Sequence, residues 1–263
     1  MNINKKIKNA KVINIGSSIA YYGFKYENND NGVNLAHVPQ YLEFDFKYIK
    51  KYAKYIGPQT KVLIVLGDFV FTTSEKMGKQ ILPQYYIDFL PWELEGAKLN
   101  ESLKAYGFWV KSKIVVRQGN LYNTEMTDCE KVTFLEKLKN SWKNDLGIKE
   151  FALEELNQEI WNNIEKNKRL VMQIINEVKN RGAIPVIVIP PNTEILNLSI
   201  PAFFWQKILY NPIKEIQKET MLLDYMWDRR FSNLCCYKDG FCLNSASARK
   251  FTQIVLNDIG LGV

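Results

Sequence analysis

The first residues that could do chemistry are two serines placed behind a glycine. Val12-Ile13-Asn14-Ile15 is short and β-rich, and it runs into Gly16-Ser17-Ser18, followed by Ile19-Ala20-Tyr21-Tyr22-Gly23. Such a run predicts a buried strand ending in a tight turn that opens a helix. A serine at that turn stands at the carboxyl end of a parallel strand, where open α/β sheets place their ligand crevices. Backbone N–H groups at a helix start favour developing negative charge, so Ser18 is a candidate nucleophile and the turn a candidate oxyanion holder. A plainer reading makes Gly16-Ser17-Ser18 an N-cap after a strand. A third makes Ser17–Ser18 an anion nest for phosphate or a nucleotide, although no P-loop or Gly-rich fingerprint accompanies it. His37 is the only histidine, hence the only imidazole that could serve as a base; the plain alternative is a surface or capping histidine. Cys129, Cys235, Cys236 and Cys242 fit no standard zinc spacing, so no metal is expected, and nothing calls for an organic cofactor.

Alternating strands and helices must position these residues. After a polar loop at Glu27 to Gly32, Val33-Asn34-Leu35-Ala36 reads as a short strand leading to His37-Val38-Pro39-Gln40. Leu42, Phe46, Ile49, Tyr52, Ala53 and Ile56 recur at helical spacing, and Gly57-Pro58 stops that helix. Lys61 to Leu66 and Ile184 to Ile189 are nearly continuous apolar runs, as expected of strands buried on both faces. A long amphipathic helix is expected from Gln158 to Asn180, and a largely helical stretch from Ile195 to Lys218, interrupted at Asn211-Pro212. Met221 to Asp224 reads as a last short strand, and a C-terminal helix begins near Ser245. Residues from about Thr72 to Asn157 break this rhythm. They read as an aromatic-rich mixed insertion (Tyr85, Tyr86, Phe89, Trp92, Tyr106, Phe108, Trp109, Tyr122, Trp142), with a strand at Lys113 to Arg117 and a helix from Asp128 to Trp142 capped by Asp128. Those aromatics either line a sugar groove or pack a subdomain core. The expected fold is a flavodoxin-like three-layer α/β/α domain over residues 1–263, with a parallel five-stranded sheet, right-handed crossovers and an insertion at about 72–157.

Composition narrows the partners. At 263 residues, one α/β domain with an insertion is favoured over two independent domains. The net charge of +7 is carried by lysines scattered along the chain, without a block of like charge or a recognition-helix pattern, so nucleic acid is not an expected partner. A mildly basic surface suits an acidic glycan or membrane-proximal work. Met1 to Ala10 is basic and polar, without the apolar run of a signal peptide, and no window is long and apolar enough to span a membrane. With sparse cysteines, the simplest expectation is a cytoplasmic protein with reduced thiols; oligomeric state is not legible.

In motif order, the chain resembles the SGNH/GDSL hydrolase superfamily, in its bacterial branch associated with polysaccharide biosynthesis and acyl transfer. The likeness rests on five pieces in sequence: Gly16-Ser17-Ser18 with Tyr22-Gly23; Asn34-Leu35-Ala36 before Pro39-Gln40; the helix from Leu42; Lys61 to Phe71; and Asp239-Gly240-Phe241-Cys242-Leu243-Asn244 with Ala248-Arg249-Lys250-Phe251-Thr252. It covers both ends of the chain well and the middle poorly. The resemblance implies Ser18 as nucleophile, Asp239 as the carboxylate that orients a base, and Gly16, Ser17, Asn34, Gly67 and Asp68 around the oxyanion and substrate. It also implies a histidine where Cys242 stands, and an oxyanion-donating asparagine in the region of Gly67-Asp68.

A neutral thiol cannot take a serine's proton and return it as imidazole does, and a carboxylate repels an oxyanion unless it points away. His37, approaching Ser18 from the other side, is the substitute base to consider, and Cys242 activated by His37 is an alternative nucleophile. Two functions follow from the resemblance. One is an esterase or O-acyltransferase acting through Ser18 on a bacterial glycan or its precursor, divergent or impaired. The other is a non-catalytic relative that binds a sugar or assists polysaccharide assembly.

Overall fold

The short apolar runs become strands of one parallel sheet. In the computed structural model, which describes residues 3–27, 31–38, 40–73 and 126–262, these are β1 (Val12–Ile15), β2 (Gly32–Asn34), β3 (Lys61–Val65), β4 (Ile184–Ile189) and β5 (Met221–Asp224). All pair in parallel, in the order β2-β1-β3-β4-β5. That is the flavodoxin-like order, whose topological switch point lies between β1 and β3. β1, β3 and β4 are buried almost throughout, which explains their unbroken hydrophobicity.

Helices cover both faces. α1 (Ile3–Lys8) was not expected from a basic, polar terminus; a single fully buried side chain, Ile7, anchors it. α2 (Ser18–Gly23) follows β1, and α3 (Leu42–Tyr52) follows β2. The buried stripe of α3 runs through Phe44, Tyr48 and Ile49, whereas Phe46 is half-buried. After the segment outside the described residues come α4 (Asp128–Leu146), α5 (Gln158–Lys179), α6 (Glu194–Ser199), α7 (Ala202–Trp205), α8 (Asn211–Ile216) and α9 (Ser245–Asp258). Val12, Leu63, Val65, Val186 and Val188 share one core with Ala20 and Phe24 of the α2 segment and Phe251 and Val255 of α9. By strand alternation Ile13, Ile15, Val62, Ile64 and Ile187 face the other way, where α5 packs on β4 and carries α3 and α8 beside it.

Three local expectations are corrected. Thr127, not Asp128, caps α4: its hydroxyl accepts the Glu130 N–H at 3.4 Å while Glu130 accepts the Thr127 N–H at 2.7 Å, a reciprocal capping box. The stretch after β4 breaks at Ile200-Pro201 rather than at Asn211-Pro212. Pro212 falls in the first turn of α8, where no intrahelical donor is required, and a π-turn at Gln206–Tyr210 leads into it. The second strand ends at Asn34, two residues before Ala36, because Asn34 turns inward to other work.

That work is structural. The paired residues Asn14 and Asn34 meet across β1 and β2, with Asn14 Nδ2 donating to Asn34 Oδ1 at 2.9 Å. Asn34 Nδ2 is directed at the carbonyls of Ala20, Tyr21 and Phe24 around the end of α2, where Ala20 also accepts the Phe24 N–H. Asn34→Ala should therefore cost about 3 kcal/mol, since it strands buried acceptors and an amide together. Urea denaturation checks this; a loss below about 1 kcal/mol contradicts the assignment.

The expected insertion aromatics Tyr85, Tyr86, Phe89, Trp92, Tyr106, Phe108, Trp109 and Tyr122, and the strand at Lys113 to Arg117, lie outside the described residues. Residues 126–157 belong to the same compact unit as the sheet. Among the described residues no helix is long and apolar enough to cross a membrane.

Candidate functional site

The turn after β1 is built around a conformation that only glycine accepts easily. Gly16 has φ +135°, and a Cβ there would lie 2.8 Å from the Ala20 Cβ and 3.0 Å from the Val65 carbonyl oxygen. Ser17 becomes the N-cap and Ser18 the first residue of α2, half-buried. Ser17 Oγ accepts the Gln40 N–H at 3.2 Å, and the His37 N–H donates to the Gly16 carbonyl at 3.3 Å. Beneath the turn, the fully buried Asp45 of α3 accepts from Gln40 Nε2 and from the Gly16 N–H. Burial pushes the Asp45 carboxyl up to about 7 against those bonds. Sequence reasoning missed Asp45: an acidic residue in a first helical turn signals only a favourable dipole contact.

β3 leaves the sheet at Gly67-Asp68, across the switch point from Ser18. Ile19 lies directly over Gly67, where an added Cβ would overlap the Ile19 Cδ1 at 1.8 Å. Asp68 takes a left-handed backbone (φ 36°) and turns its side chain inward. Its Oδ1 accepts Asn192 Nδ2 at 2.9 Å, while Oδ2 is buried without a partner. Burial pushes its carboxyl up to about 6, against the opposing Asn192 bond. The loop beyond is held by α5, where Asn167 Nδ2 donates to the carbonyls of Phe71 at 2.8 Å and Thr73 at 2.6 Å.

The Asp239 turn is reached from two sides. Next to Asn192, Thr193 Oγ1 donates to the Gly240 carbonyl at 3.3 Å, and from α2 the Tyr22 ring carries the Lys238 ammonium 3.2 Å above its centroid. Contacts thus run from Ile19 through Gly67-Asp68 and Asn192-Thr193 to Gly240, and from Tyr22 to Lys238. Behind the turn stands α4, read in sequence as part of the insertion. Its Lys131 Nζ donates to the Leu234 carbonyl at 3.2 Å, and its Trp142 meets Phe241 edge-on at 5.6 Å.

Within that ring the acid–base groups are arranged as follows. Asp239 Oδ1 accepts the N–H groups of Phe241 (2.9 Å) and Cys242 (2.6 Å), and the Lys238 Nζ stands 3.8 Å from Oδ2. Cys242 is buried, and desolvation pushes its thiol well above the ordinary value, reinforced by the charge of Asp239 and opposed by Lys238. It is a protonated thiol hydrogen-bonded to Asp239, which is the opposite of a reactive thiolate. Tyr237 lies in the field of Asp68 and Cys242, with its hydroxyl buried and unpartnered. Ser18 Oγ has no hydrogen-bond partner among the described residues. The His37 ring is stacked on Tyr48 of α3, 5.1 Å between centroids and 18° from parallel.

Comparison with protein-family models and with curated proteins yields no match. The site is therefore read from its own geometry. Gly16, Ser17, Ser18, Gly67 and Asp68 meet at one end of the sheet, and contacts from Asn192-Thr193 and Tyr22 tie the Asp239–Cys242 turn to that end. Asn34 is committed to the end of α2, and His37 to Tyr48 and the Gly16 carbonyl. Asn192, Thr193 and Tyr237 were not singled out in sequence. For Asn192 and Thr193 the available signal was a polar pair behind the Pro190-Pro191 turn at the end of an apolar strand.

Proposed function

We propose that this chain is a divergent SGNH-type protein that binds an acylated glycan, or a precursor of one, in the crevice beside Ser18, and does so without efficient ester chemistry. The observation that carries this is Cys242. Where a base would have to stand, hydrogen-bonded to Asp239, there is a buried thiol that remains protonated at neutral pH. A serine hydroxyl needs a group titrating near the working pH to take its proton and hand it to a leaving group. Asp68 adds to the impairment: half or more ionised at neutral pH, it brings negative charge toward the place where an oxyanion would need a donor.

A second reading keeps catalysis alive as an esterase or O-acyltransferase with His37 as base. One observation favours it: the His37 N–H bonds the Gly16 carbonyl, so the residue belongs to the same turn. Against it stands the ring's stacking on Tyr48.

Hydrolysis of p-nitrophenyl acetate separates the two. The binding reading expects wild type, Ser18→Ala and His37→Ala to be indistinguishable. A loss of about tenfold or more in both variants, within the range of a lost acid–base group, establishes the His37 mechanism instead.

A further inference from the structure

Beyond the exits of β4 and β5 lies a cavity of about 580 Å³ lined by Asn192, Glu194, Trp227, Asp228, Arg229 and Ser232, among others. A second, of about 390 Å³, is lined by Asp224, Tyr225, Trp227, Asp228 and Arg230. Trp227 and Asp228 belong to both, and the Trp227 side chain is left 52% exposed.

We propose that these two cavities form a carbohydrate-binding cleft in which consecutive sugar residues of a glycan chain sit on either side of the Trp227 indole. The proposal rests on the glycan reading above and assigns where that glycan runs.

Pyranose rings present an apolar C–H face and a rim of hydroxyl groups. They suit an aromatic plane flanked by planar polar side chains, and this lining supplies both. The walls are preformed, because the Asn192 N–H and the Asn197 Nδ2 both donate to the Met226 carbonyl, at 3.3 and 2.7 Å, and the Glu194 N–H donates to the Ser232 carbonyl at 3.0 Å. Asp228 is fixed by a fork from Arg230, with Nε 2.9 Å from Oδ1 and Nη2 2.5 Å from Oδ2. That pairing holds its carboxylate below the usual range and leaves it an acceptor for hydroxyl groups. Arg229 and Glu194 carry no ion pair among the described residues, so donor and acceptor are both open to a ligand. With Arg230 committed to Asp228 and Glu194 lining the larger cavity with Arg229, the lining holds no excess of positive charge to favour a phosphate or nucleotide. Asn192 joins the cleft to the crevice, since it lines the larger cavity while its amide bonds Asp68.

The test is an array of bacterial capsular and cell-wall oligosaccharides probed with the full chain as wild type, Trp227→Ala and Arg229→Ala. The proposal expects wild type to bind a set of these glycans, Trp227→Ala to lose tenfold or more, and Arg229→Ala to weaken the same set. Because Arg229 is exposed, its variant keeps the test valid if Trp227→Ala fails to fold. Binding undiminished in both cleft variants overturns the cleft and leaves the glycan reading standing, whereas binding by wild type to no glycan on the array overturns both.

Discussion

Cys242→His is expected to raise p-nitrophenyl acetate hydrolysis at least about 100-fold over wild type, the lower end of what a positioned acid–base group contributes. The expectation follows from what the turn already holds. Asp239 uses Oδ1 for two backbone N–H groups, has Lys238 3.8 Å from Oδ2, and already bonds the thiol that the imidazole would replace, so the carboxylate can orient an imidazole. Contacts through Ile19, Gly67, Asn192 and Thr193 tie that turn to the end of the sheet where Ser18 stands. An imidazole is larger than a thiol, and overpacking a buried position costs about 1–3 kcal/mol. Circular dichroism must accordingly show a folded variant, and Cys242→Gln serves as a control of similar bulk without a base. A gain in Cys242→His and none in Cys242→Gln assigns the effect to proton transfer. Equal gains in both would assign it to loosened packing, and no gain in a folded histidine variant would mean that Ser18 and position 242 do not act on one ligand.

The second large effect is on stability. Asp68 ordinarily titrates near 3.8 and is raised to about 6 in the folded protein by burial. The folded state therefore holds its proton more tightly than the unfolded chain does. Its contribution is most favourable at and below the unfolded value and is lost as pH rises through about 4 to 7. Complete ionisation by pH 8 costs roughly 3 kcal/mol. Asp45, raised to about 7 by burial, acts with the same sign over a slightly higher window. Wild type should become more stable as pH falls from 8 toward 5, and Asp68→Asn should gain about 2–3 kcal/mol at pH 8 while flattening the lower part of that dependence. Urea midpoints across pH measure it. Equal stability of wild type and variant at pH 8 would show that Asp68 is hydrated or paired in solution. On the proposed reading the same substitution replaces a carboxylate with an amide on the oxyanion side of the crevice, so in the Cys242→His background it should add about tenfold or more to the rate.

The sheet was legible because its strands are nearly unmixed hydrophobic runs. Ile184–Ile189 and Met221–Asp224 fall on their expected bounds, and Lys61–Val65 stops one residue short. Burial on both faces leaves the β3 and β4 runs no other home, whereas β5 is an edge strand whose end residues are exposed. Most of what escaped the sequence depends on partners distant along the chain. Asn34 reads like a rim residue until the carbonyls of α2 stand opposite it, whereas the missed Thr127–Glu130 box is local and stood in the sequence as Thr-x-x-Glu. The serine turn was visible as Gly16-Ser17-Ser18, but Asp45 beneath it was not, because its role arises only when α3 packs under Gly16. α4 read as part of an insertion because it lies in an aromatic-rich stretch that breaks the strand–helix rhythm, and its buried Lys131 finds its partners only in the fold, at the Leu234 carbonyl and the neighbouring Asp128.

Labelling with a fluorophosphonate, read by intact mass and peptide mapping, tests most directly whether Ser18 lacks only its base. Cys242→His should acquire one adduct, on the peptide carrying Ser18, while wild type and Cys242→His/Ser18→Ala remain unmodified. Labelling of wild-type Ser18 as fast as in the variant, or a folded Cys242→His that stays unlabelled, would contradict the account.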